Sequence, residues 1–244
     1  MNNYKSRIKR KFRSTIRKLW PTGADILLNL KALRNEDKSQ FGEQKLLLQF
    51  VEETKALAWP KLYLELGAAY PIFHSNSYAL SKVDFRGISF DADERYAFQW
   101  QLLRPRDRFE SAAIITSTEE KTTILHKFPS SHSSLNTINF EQNLKWQTEF
   151  QSYSKPVLVP AKNIKNAYYE FKDTYGNFPT IILSDLEGID KEIISNLLSN
   201  LPTNYYPKAI LLEVEEFFLE EDNLITNFYE LYDKAGLSLL MVLK

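Results

Sequence analysis

In the first half of the chain, short apolar runs and polar turns follow one another in an order that predicts a β-α-β unit. LYLEL (62–66) has the apolar character of a buried strand and carries Glu65 near its end. Gly67 comes next, where the chain has to turn sharply. Residues 75–82 predict a brief helix, and the apolar run GISF predicts a second strand that ends at Asp91. A unit of this kind binds its ligand at the carboxyl ends of its strands, beside the amino terminus of the helix.

The acidic residue at the end of the second strand narrows the kind of ligand. A carboxylate in this place, roughly 20 residues or more beyond the first turn, commonly accepts hydrogen bonds from a ribose diol. Asp91 has that spacing relative to Gly67. The sequence therefore predicts a nucleoside-containing cofactor. A nicotinamide cofactor is disfavoured, because the chain contains no G-x-G-x-x-G run.

The rest of the chain continues to alternate between strand and helix patterns. Further strands are predicted at 111–116, 122–128, 156–161, 180–188, 208–214 and 237–243. Helices are predicted at 24–33, 41–57, 94–103, 144–153, 164–175, 190–200 and 215–235. Pro21 to Gly23 is expected to break the chain before the first of these helices. Strands that alternate with helices predict a mainly parallel, three-layer α/β sheet.

The charged residues divide the chain into unlike parts. The formal net charge is zero, with 31 basic and 31 acidic side chains. Residues 1–20 carry eight of the bases and no acid, so residues 21–244 have a net charge of −8. We expect a basic arm (1–20), a helical extension (21–57) that packs against the sheet and covers its cleft, and an α/β domain (58–244).

Aromatic and aliphatic residues recur every fourth position in the basic arm. They are Tyr4, Ile8, Phe12, Ile16 and Trp20, with bases between them. Two interpretations stay open: an interfacial helix that lies on anionic lipid, or a helix that packs on its own domain and exposes its basic face. Nucleic acid is disfavoured as a partner, because the acidic body would be repelled.

Several classes of protein and site are excluded by composition. No run reaches the ~18 apolar residues that a bilayer-spanning helix needs, and no apolar stretch of ~7 residues follows the basic region as in a secretory signal. The absence of cysteine excludes disulfides, thiolate metal sites and a cysteine nucleophile. The three histidines share no ligand-like spacing, so no metal site is predicted, although a bound divalent ion is compatible with the chemistry below. We expect a cytoplasmic protein, with the arm able to rest on the inner face of the membrane.

Seven short motifs follow one another over much of the chain. They are KSQFGEQKLLL (38–48), LELGAAYP (64–71), SNSYAL (75–80), DFRGISFDAD (84–93), RPRD (104–107), SLNTIN (134–139) and SDLEGID (184–190). In this order they resemble the FkbM-like family of S-adenosylmethionine-dependent methyltransferases. The resemblance implies a Rossmann-like class I methyltransferase fold, with S-adenosylmethionine as cofactor. It also implies O-methylation of sugars or other hydroxyl-bearing natural products.

The resemblance assigns roles to individual residues as well. Those implied for cofactor binding lie in the turn, at the start of the first helix and at the second strand end: Glu65, Gly67, Ala68, Ser75, Asn76, Asp91 and Ala92. Asp185 and Glu187 match the acidic motif beside the transferred methyl group. Ala69 and Tyr70 depart from the family, whose members often have His or Asn after the Gly-Ala pair of the turn.

Methyl transfer to an alcohol needs an in-line approach and a group that removes the hydroxyl proton. Asp185 is our candidate base or metal ligand, and Glu187 is the candidate for holding the loop or the acceptor. The alternative for Glu187 is a cap on the helix that begins near Asp190. His74, a few residues beyond the turn, is a second candidate base; its alternative is a hydrogen-bonded surface histidine.

Other polar residues are candidates for contact with the acceptor. Asn136 lies in a polar loop of hydroxyl and amide residues, which His126 and His132 flank. Arg104 and its neighbours in RPRD form an internal ion-pair cluster in the interpretation that we favour. In the alternative, Arg104 binds an anionic acceptor.

Two functions of different classes follow from these patterns. The first is an S-adenosylmethionine-dependent O-methyltransferase that acts on a sugar or glycan hydroxyl. The second is a non-catalytic, Rossmann-like binding or scaffold domain at a membrane surface. The single glycine of the turn, Gly67, favours the scaffold, and the retained acids Glu65, Asp91, Asp185 and Glu187 favour the enzyme.

Overall fold

The computed structural model describes residues 21–34, 39–54, 58–214 and 224–244. The basic arm predicted for residues 1–20 lies outside the described residues. Within the described part of the chain, no helix combines the length and the apolar character that crossing a bilayer requires.

A seven-stranded, mostly parallel sheet forms the centre of the fold. The strands of the described chain are β1 (Leu62–Leu66), β2 (Arg86–Asp91), β3 (Arg108–Ser111), β4 (Ala113–Ile115), β5 (Thr122–Lys127), β6 (Lys155–Asn163), β7 (Ile181–Ser184), β8 (Ala209–Glu213), β9 (Tyr229–Ala235) and β10 (Ser238–Leu243). The central sheet has the order β3-β2-β1-β7-β8-β10-β9. Its strands β3, β2, β1, β7 and β8 pair in parallel, and β10 runs antiparallel to both of its neighbours. The arrangement is that of a Rossmann-like α/β fold.

Helices cover both faces of this sheet, as predicted. They are α1 (Pro21–Ala32), α2 (Glu43–Glu53), α3 (Tyr78–Lys82), α4 (Ala97–Leu103), α5 (Phe140–Phe150), α6 (Ile164–Tyr175), α7 (Asp190–Ser199) and α8 (Leu224–Phe228). On one face, α6 and α7 pack their apolar sides against alternate residues of the strands, such as Leu64 and Ile182. On the other face, α2 packs against the intervening residues, such as Tyr63 and Leu183. The alternation follows from the period of two along a strand.

A small second sheet is inserted between β3 and α6. It has the order β4-β6-β5, and α5 lies within the same insertion. The single strand predicted at 111–116 is therefore wrong: Ala112 separates β3, in the central sheet, from β4, in the small sheet. The predicted β5 and β6 are confirmed as strands, but they belong to the small sheet and not to the parallel one.

The long helix predicted for 215–235 is wrong over its last seven residues, and residues 215–223 lie outside the described part of the chain. Tyr229–Ala235 is strand β9, which forms a hairpin with β10 through the two residues Gly236 and Leu237. Gly236 has φ of +60°, the left-handed conformation that such short hairpin turns require. Pairing with the apolar strand β10 outweighs the helical composition of this segment.

The N-terminal extension corrects one prediction and supports another. The break expected at Pro21 to Gly23 does not occur, since these residues form the first turn of α1, where a missing N–H leaves no bond unmade. Asn29 of α1 accepts hydrogen bonds from the backbone N–H groups of Ile72 and Phe73, at 2.9 and 3.0 Å. The extension thus packs on the loop that follows β1, as expected.

Candidate functional site

A cavity of about 510 Å³ opens at the carboxyl ends of the central strands. Its wall includes Asp91 after β2, Gly67 after β1, Asp185 after β7 and Glu213 at the end of β8. Strand order reverses between β1 and β7, and open α/β sheets bind ligands in the crevice at this point. The size is within the usual range for small-molecule sites.

The turn after β1 passes unusually close to the end of β7. The Asp185 N–H donates to the Leu66 carbonyl at 2.9 Å. Gly67 has φ of +78°, and a Cβ at this position would lie 1.8 Å from the Asp185 carbonyl oxygen. Gly67 is therefore required by the backbone itself, because no side chain fits between the two strand ends.

The remainder of the turn is held by Asp91 and by Trp100, and the family resemblance did not include Trp100. Ala69 has φ of +43°, an uncommon conformation for a residue with a Cβ. Its carbonyl accepts a hydrogen bond from Trp100 Nε1 at 2.9 Å, and its N–H donates to Asp91 Oδ2 at 2.8 Å. Trp100, which is completely buried in α4, thus compensates for the absence of further glycines.

Asp91 has the position and the free acceptor capacity that ribose binding requires. Each carboxylate oxygen accepts one backbone N–H, Oδ1 from Asp93 at 2.7 Å and Oδ2 from Ala69. Since each oxygen has two lone pairs, one remains on each oxygen for a ligand hydroxyl. Burial raises the pKa of Asp91 to about 6, against the effect of these two backbone hydrogen bonds.

The end of the cavity beside β2 is apolar. Ala92, Ala113, Leu125 and Ile138 line it and also form one hydrophobic cluster under the small sheet. A flat apolar ring fits this chemistry, with the Asp91 carboxylate next to it. The predicted cofactor residue Ala92 is therefore in a suitable place, although no ligand tests its role.

Glu65 lies on the cavity wall, but its carboxylate is occupied by the protein. It accepts hydrogen bonds from the Ser77 N–H at 3.2 Å, Ser77 Oγ at 2.7 Å and Ser89 Oγ at 2.7 Å. Burial raises the pKa of Glu65, and the charge of Arg104 opposes this shift. The geometry gives Glu65 a positioning role: it ties the end of β1 to β2 and to the start of α3.

Arg104 is buried and makes all of its contacts inside the protein. Its Nε donates to Asp107 Oδ2 at 2.8 Å, and its Nη1 donates to Ser77 Oγ at 2.7 Å. Its Nη2 donates to the Tyr63 hydroxyl. It is not part of the cavity wall. The position of Arg104 gives no support to contact with an anionic acceptor, and the structure contains the internal ion pair of the favoured interpretation.

The opposite end of the cavity is acidic. Ser184 and Leu212 are paired in register, so Asp185 and Glu213 are the next residues on two adjacent parallel strands. Each carboxyl group thus lies beside the other at this edge of the sheet. Glu187 joins them on the cavity wall. The sequence places Glu213 at a strand end, but its pairing with Asp185 could be found only from the strand order.

Burial and mutual repulsion change the titration of this acidic group. Burial raises the pKa of Asp185 well above its ordinary range, and the charges of Glu213 and Glu187 add to the effect. Burial and the charge of Glu213 raise the pKa of Glu187 to about 8. A proton is therefore retained in this group near neutral pH.

Glu187 does not cap the helix that follows it. Asp190, the first residue of that helix, instead binds the segment before it. Its Oδ1 accepts from Ser184 Oγ at 2.5 Å and from the Leu186 N–H at 3.0 Å. The Glu187 carboxylate accepts from Trp146 Nε1 at 3.2 Å. The capping alternative is thus wrong, and Glu187 faces the cavity together with the indole of Trp146.

Only some of the predicted site residues that follow the turn lie on the cavity wall. His74 and Asn76 are on the cavity wall, whereas Ser75 is buried outside it and its carbonyl accepts from Gln44 Nε2 at 2.5 Å. His74 has φ of +54° and stacks on Phe73, with ring centroids 3.8 Å apart. Partial burial lowers the pKa of His74, so its imidazole is neutral near pH 7 and able to accept a proton.

The polar loop reaches the cavity, but its predicted contact residues are engaged elsewhere. Asn136 accepts from the Phe128 N–H at 2.8 Å and donates to Asp93 Oδ2 at 3.3 Å, so its amide braces the loop. His132 is not itself on the wall, but its ring centroid lies 6.2 Å from that of Phe150, which is. His126 is on β5 and is not part of the wall. Substrate contact by His132 stays a prediction.

The N-terminal extension closes one side of the cavity. Leu28 of α1, together with Gln40 and Phe41 before α2, forms part of the wall. Phe41 also packs directly on Gly236, where a Cβ would lie 2.6 Å from its ring. The expected cover over the cleft is therefore present.

Within the described ranges, no group of three His, Cys, Asp or Glu side chains is arranged to hold a metal ion. The interpretation of Asp185 as a metal ligand therefore gains no support from the described side chains around it.

Comparisons with known proteins assign this chain to no family. No protein-family model matches the chain, the FkbM-like family included, and no curated protein matches it. Among solved structures, the crystal structure of monomeric WbdD is similar, with a TM-score of 0.42 and 15% sequence identity. The match covers 82% of this chain and 40% of the WbdD chain, so this chain spans less than half of that protein.

The close approach at Gly67 can be tested with a matched pair of glycine substitutions. Gly176 has φ of +76°, nearly that of Gly67, but a Cβ there would meet nothing within 4 Å. We expect Gly176→Ala to cost about 1–2 kcal/mol of unfolding free energy, from the left-handed backbone alone. Gly67→Ala should cost about 1–3 kcal/mol more, because two strand ends must separate. Urea denaturation of both variants measures the difference, and equal losses would show that the contact is unimportant.

Proposed function

We propose that this protein is an S-adenosylmethionine-dependent O-methyltransferase whose acceptor is a sugar or glycan hydroxyl. The observation that carries the proposal is the polarity of one open cavity. Asp91 and an apolar recess lie at one end, and the carboxyl groups of Asp185, Glu187 and Glu213 lie at the other. The four strand ends involved are neighbours in the order β2-β1-β7-β8.

The cavity fits the parts of S-adenosylmethionine in sequence. Adjacent strands are about 4.8 Å apart, so Asp91 and Asp185 are separated by about 10 Å across β1. The apolar recess suits the adenine ring, and the free lone pairs of Asp91 suit the two ribose hydroxyls. The acidic end then faces the part of the cofactor that carries its positively charged sulfur.

Two further features support the methyltransferase assignment. The seven motifs that resemble the FkbM-like family include the turn at Gly67, the strand end at Asp91 and the acidic segment from Asp185 to Glu187. The sheet order, with antiparallel β10 between β8 and β9, agrees with the class I methyltransferase fold that this resemblance implies.

The acidic end provides the chemistry that an alcohol acceptor needs. The cofactor supplies an electrophilic methyl group, and the protein has to align the hydroxyl and remove its proton. We assign Asp185 and Glu213 the role of receiving that proton, and His74, an exposed residue of the same cavity wall, is the second candidate. Trp146 offers an indole face and lies T-shaped to Phe150 with ring centroids 5.6 Å apart, which suits packing against a sugar ring.

The scaffold alternative receives less support. A domain that had lost its ligand would be expected to fill the crevice with its own side chains, yet the cavity stays open at the switch point. The single glycine, which favoured the scaffold, is compensated by Trp100 and Asp91 bonding to Ala69.

Cofactor binding and turnover should respond to different carboxyl groups. We expect Asp91→Asn to weaken binding of S-adenosylhomocysteine by about tenfold or more, because a charged acceptor of ribose hydroxyls is lost. Asp84→Asn, at a largely exposed ion pair with Arg106, is the control and should bind normally. Asp185→Asn should still bind S-adenosylhomocysteine but transfer no methyl group. Isothermal titration calorimetry and a methyl-transfer assay separate these results, and equal affinity of Asp91→Asn and the native protein would contradict the ribose assignment.

We further propose that the basic arm (1–20) brings the protein to an anionic membrane surface from the cytoplasmic side. Its eight bases and its four-residue aromatic and aliphatic spacing fit an interfacial helix, and the acidic body supplies no competing attraction. A lipid-linked or envelope glycan is a suitable acceptor at such a surface.

Deletion of residues 1–19 should abolish co-sedimentation with vesicles that contain anionic lipid, and circular dichroism should show a folded body. The control is the full chain with vesicles of neutral lipid only, which should not sediment together. Unchanged sedimentation of the truncated protein with anionic vesicles would remove the membrane proposal without affecting the methyltransferase one.

A further inference from the structure

Among the residues that the structure describes, no cation is paired with the acidic end of the cavity. Asp185 faces Glu213 on β8, Glu187 in the loop after β7 and Asp190 on α7. Glu65 on β1 is bound by serine donors, and Trp146 on α5 contributes a neutral N–H. Among the described residues, His74 is the only basic side chain on the cavity wall, and Asp185, Glu187 and Glu213 take part in no ion pair there.

This arrangement is costly for a site with an uncharged or anionic occupant. Like charges on adjacent strand ends cannot all ionise easily in a low-dielectric environment, so burial and the neighbouring charges raise the pKa of Asp185. Among the described residues, no arginine reduces this electrostatic cost at Asp185. At Glu65, by contrast, the charge of Arg104 opposes the rise in pKa. The acidic end is therefore complementary to a positive charge that enters the cavity.

We propose that Asp185, paired with Glu213 on the neighbouring strand end, exchanges its proton for the sulfonium charge of the incoming cofactor, so that cofactor binding itself converts the pair into a base. The inference rests on the proposed function, and it names a role for Glu213 that the motif resemblance does not include. Glu187 adds to the negative potential at this end of the cavity and is held towards it by Trp146.

Charge and protons balance over the proposed cycle of binding and methyl transfer. Binding releases the Asp185 proton to solvent and leaves two carboxylates against one sulfonium. As the bond from methyl carbon to acceptor oxygen forms, the carbon–sulfur bond breaks with its electron pair on sulfur, and the hydroxyl proton passes to the pair. The product thioether is neutral and the pair is again protonated, so the attraction that held the cofactor is lost after transfer.

The direction of the pH effect follows from this exchange. A cation favours the ionised pair, so affinity for the cofactor should rise with pH while the free pair still holds its proton. Burial places the ionisation of Asp185 well above its ordinary range, and that of Glu187 is at about pH 8. The rise should therefore be visible between about pH 6 and pH 9, at about tenfold per pH unit for one released proton.

The experiment compares S-adenosylmethionine with S-adenosylhomocysteine on the full chain by isothermal titration calorimetry. The two ligands share the adenosine, carboxylate and amino groups, and only the first carries a charged sulfur. We expect the affinity for S-adenosylmethionine to rise over this range and that for S-adenosylhomocysteine to stay nearly level. Titration in buffers of different ionisation enthalpy should give close to one proton released per S-adenosylmethionine bound and far less for S-adenosylhomocysteine.

Two variants locate the effect in the carboxyl pair. Asp185→Asn and Glu213→Gln should each abolish the proton release while S-adenosylhomocysteine still binds, which shows that the site is folded. Asp173→Asn, at an exposed position on α6, is the matched control and should behave as the native protein.

The outcomes distinguish this inference from the function on which it rests. If neither ligand binds, the proposed methyltransferase function fails. If both ligands bind with the same pH dependence, or if proton release survives in Asp185→Asn, the exchange is overturned while the proposed function stands.

Discussion

The fold of the site depends on the contact between two strand ends at the switch point. The Leu66 carbonyl accepts the Asp185 N–H, and the Gly67 backbone lies where no side chain could fit against the Asp185 carbonyl. Through this contact, the turn at Gly67 lies next to the residue that carries the Asp185 carboxyl group. Parallel pairing then extends the same edge to Asp91 on one side and to Glu213 on the other. The polarity of the cavity is a consequence of strand order and not of any single motif.

Internal hydrogen-bond networks fix the strand ends at this edge of the sheet, so that carboxyl groups which repel one another are held close together. Arg104 and the serines hold Glu65, and Asp190 holds the end of β7 through Ser184 and Leu186. By contrast, Asp185, Glu187 and Glu213 are left to repel one another in a poorly solvated place. Proteins tolerate such costs mainly where a ligand relieves them. The contrast between the compensated carboxylate of Glu65 and the uncompensated ones is the reason to read the acidic end as functional.

The pattern of apolar and polar residues in the sequence was sufficient to predict the buried parallel strands. Strands β1, β7 and β8 are continuous apolar runs, as buried parallel strands should be, and their terminal acids could be named from the sequence. Strand β9 could not, because its helical composition is outweighed by pairing with β10. The roles of Trp100, Trp146 and the Asp185–Glu213 pair arise between elements distant in sequence, so spacing gives no signal for them. Arg104 is the opposite case. It lies in the RPRD motif, but the structure shows its guanidinium bonded inside the protein.

The most direct test of the account is a crystal structure of the protein with S-adenosylhomocysteine. We expect the ligand in the cavity, with both ribose hydroxyls about 2.5–3.0 Å from the Asp91 carboxylate. The adenine should lie against Ala92 and Leu125, and the sulfur should point towards Asp185. A crevice closed by the protein's own side chains, or a ligand bound away from Asp91, would contradict the central claim that adjacent strand ends form an adenosyl-binding site facing an acid pair.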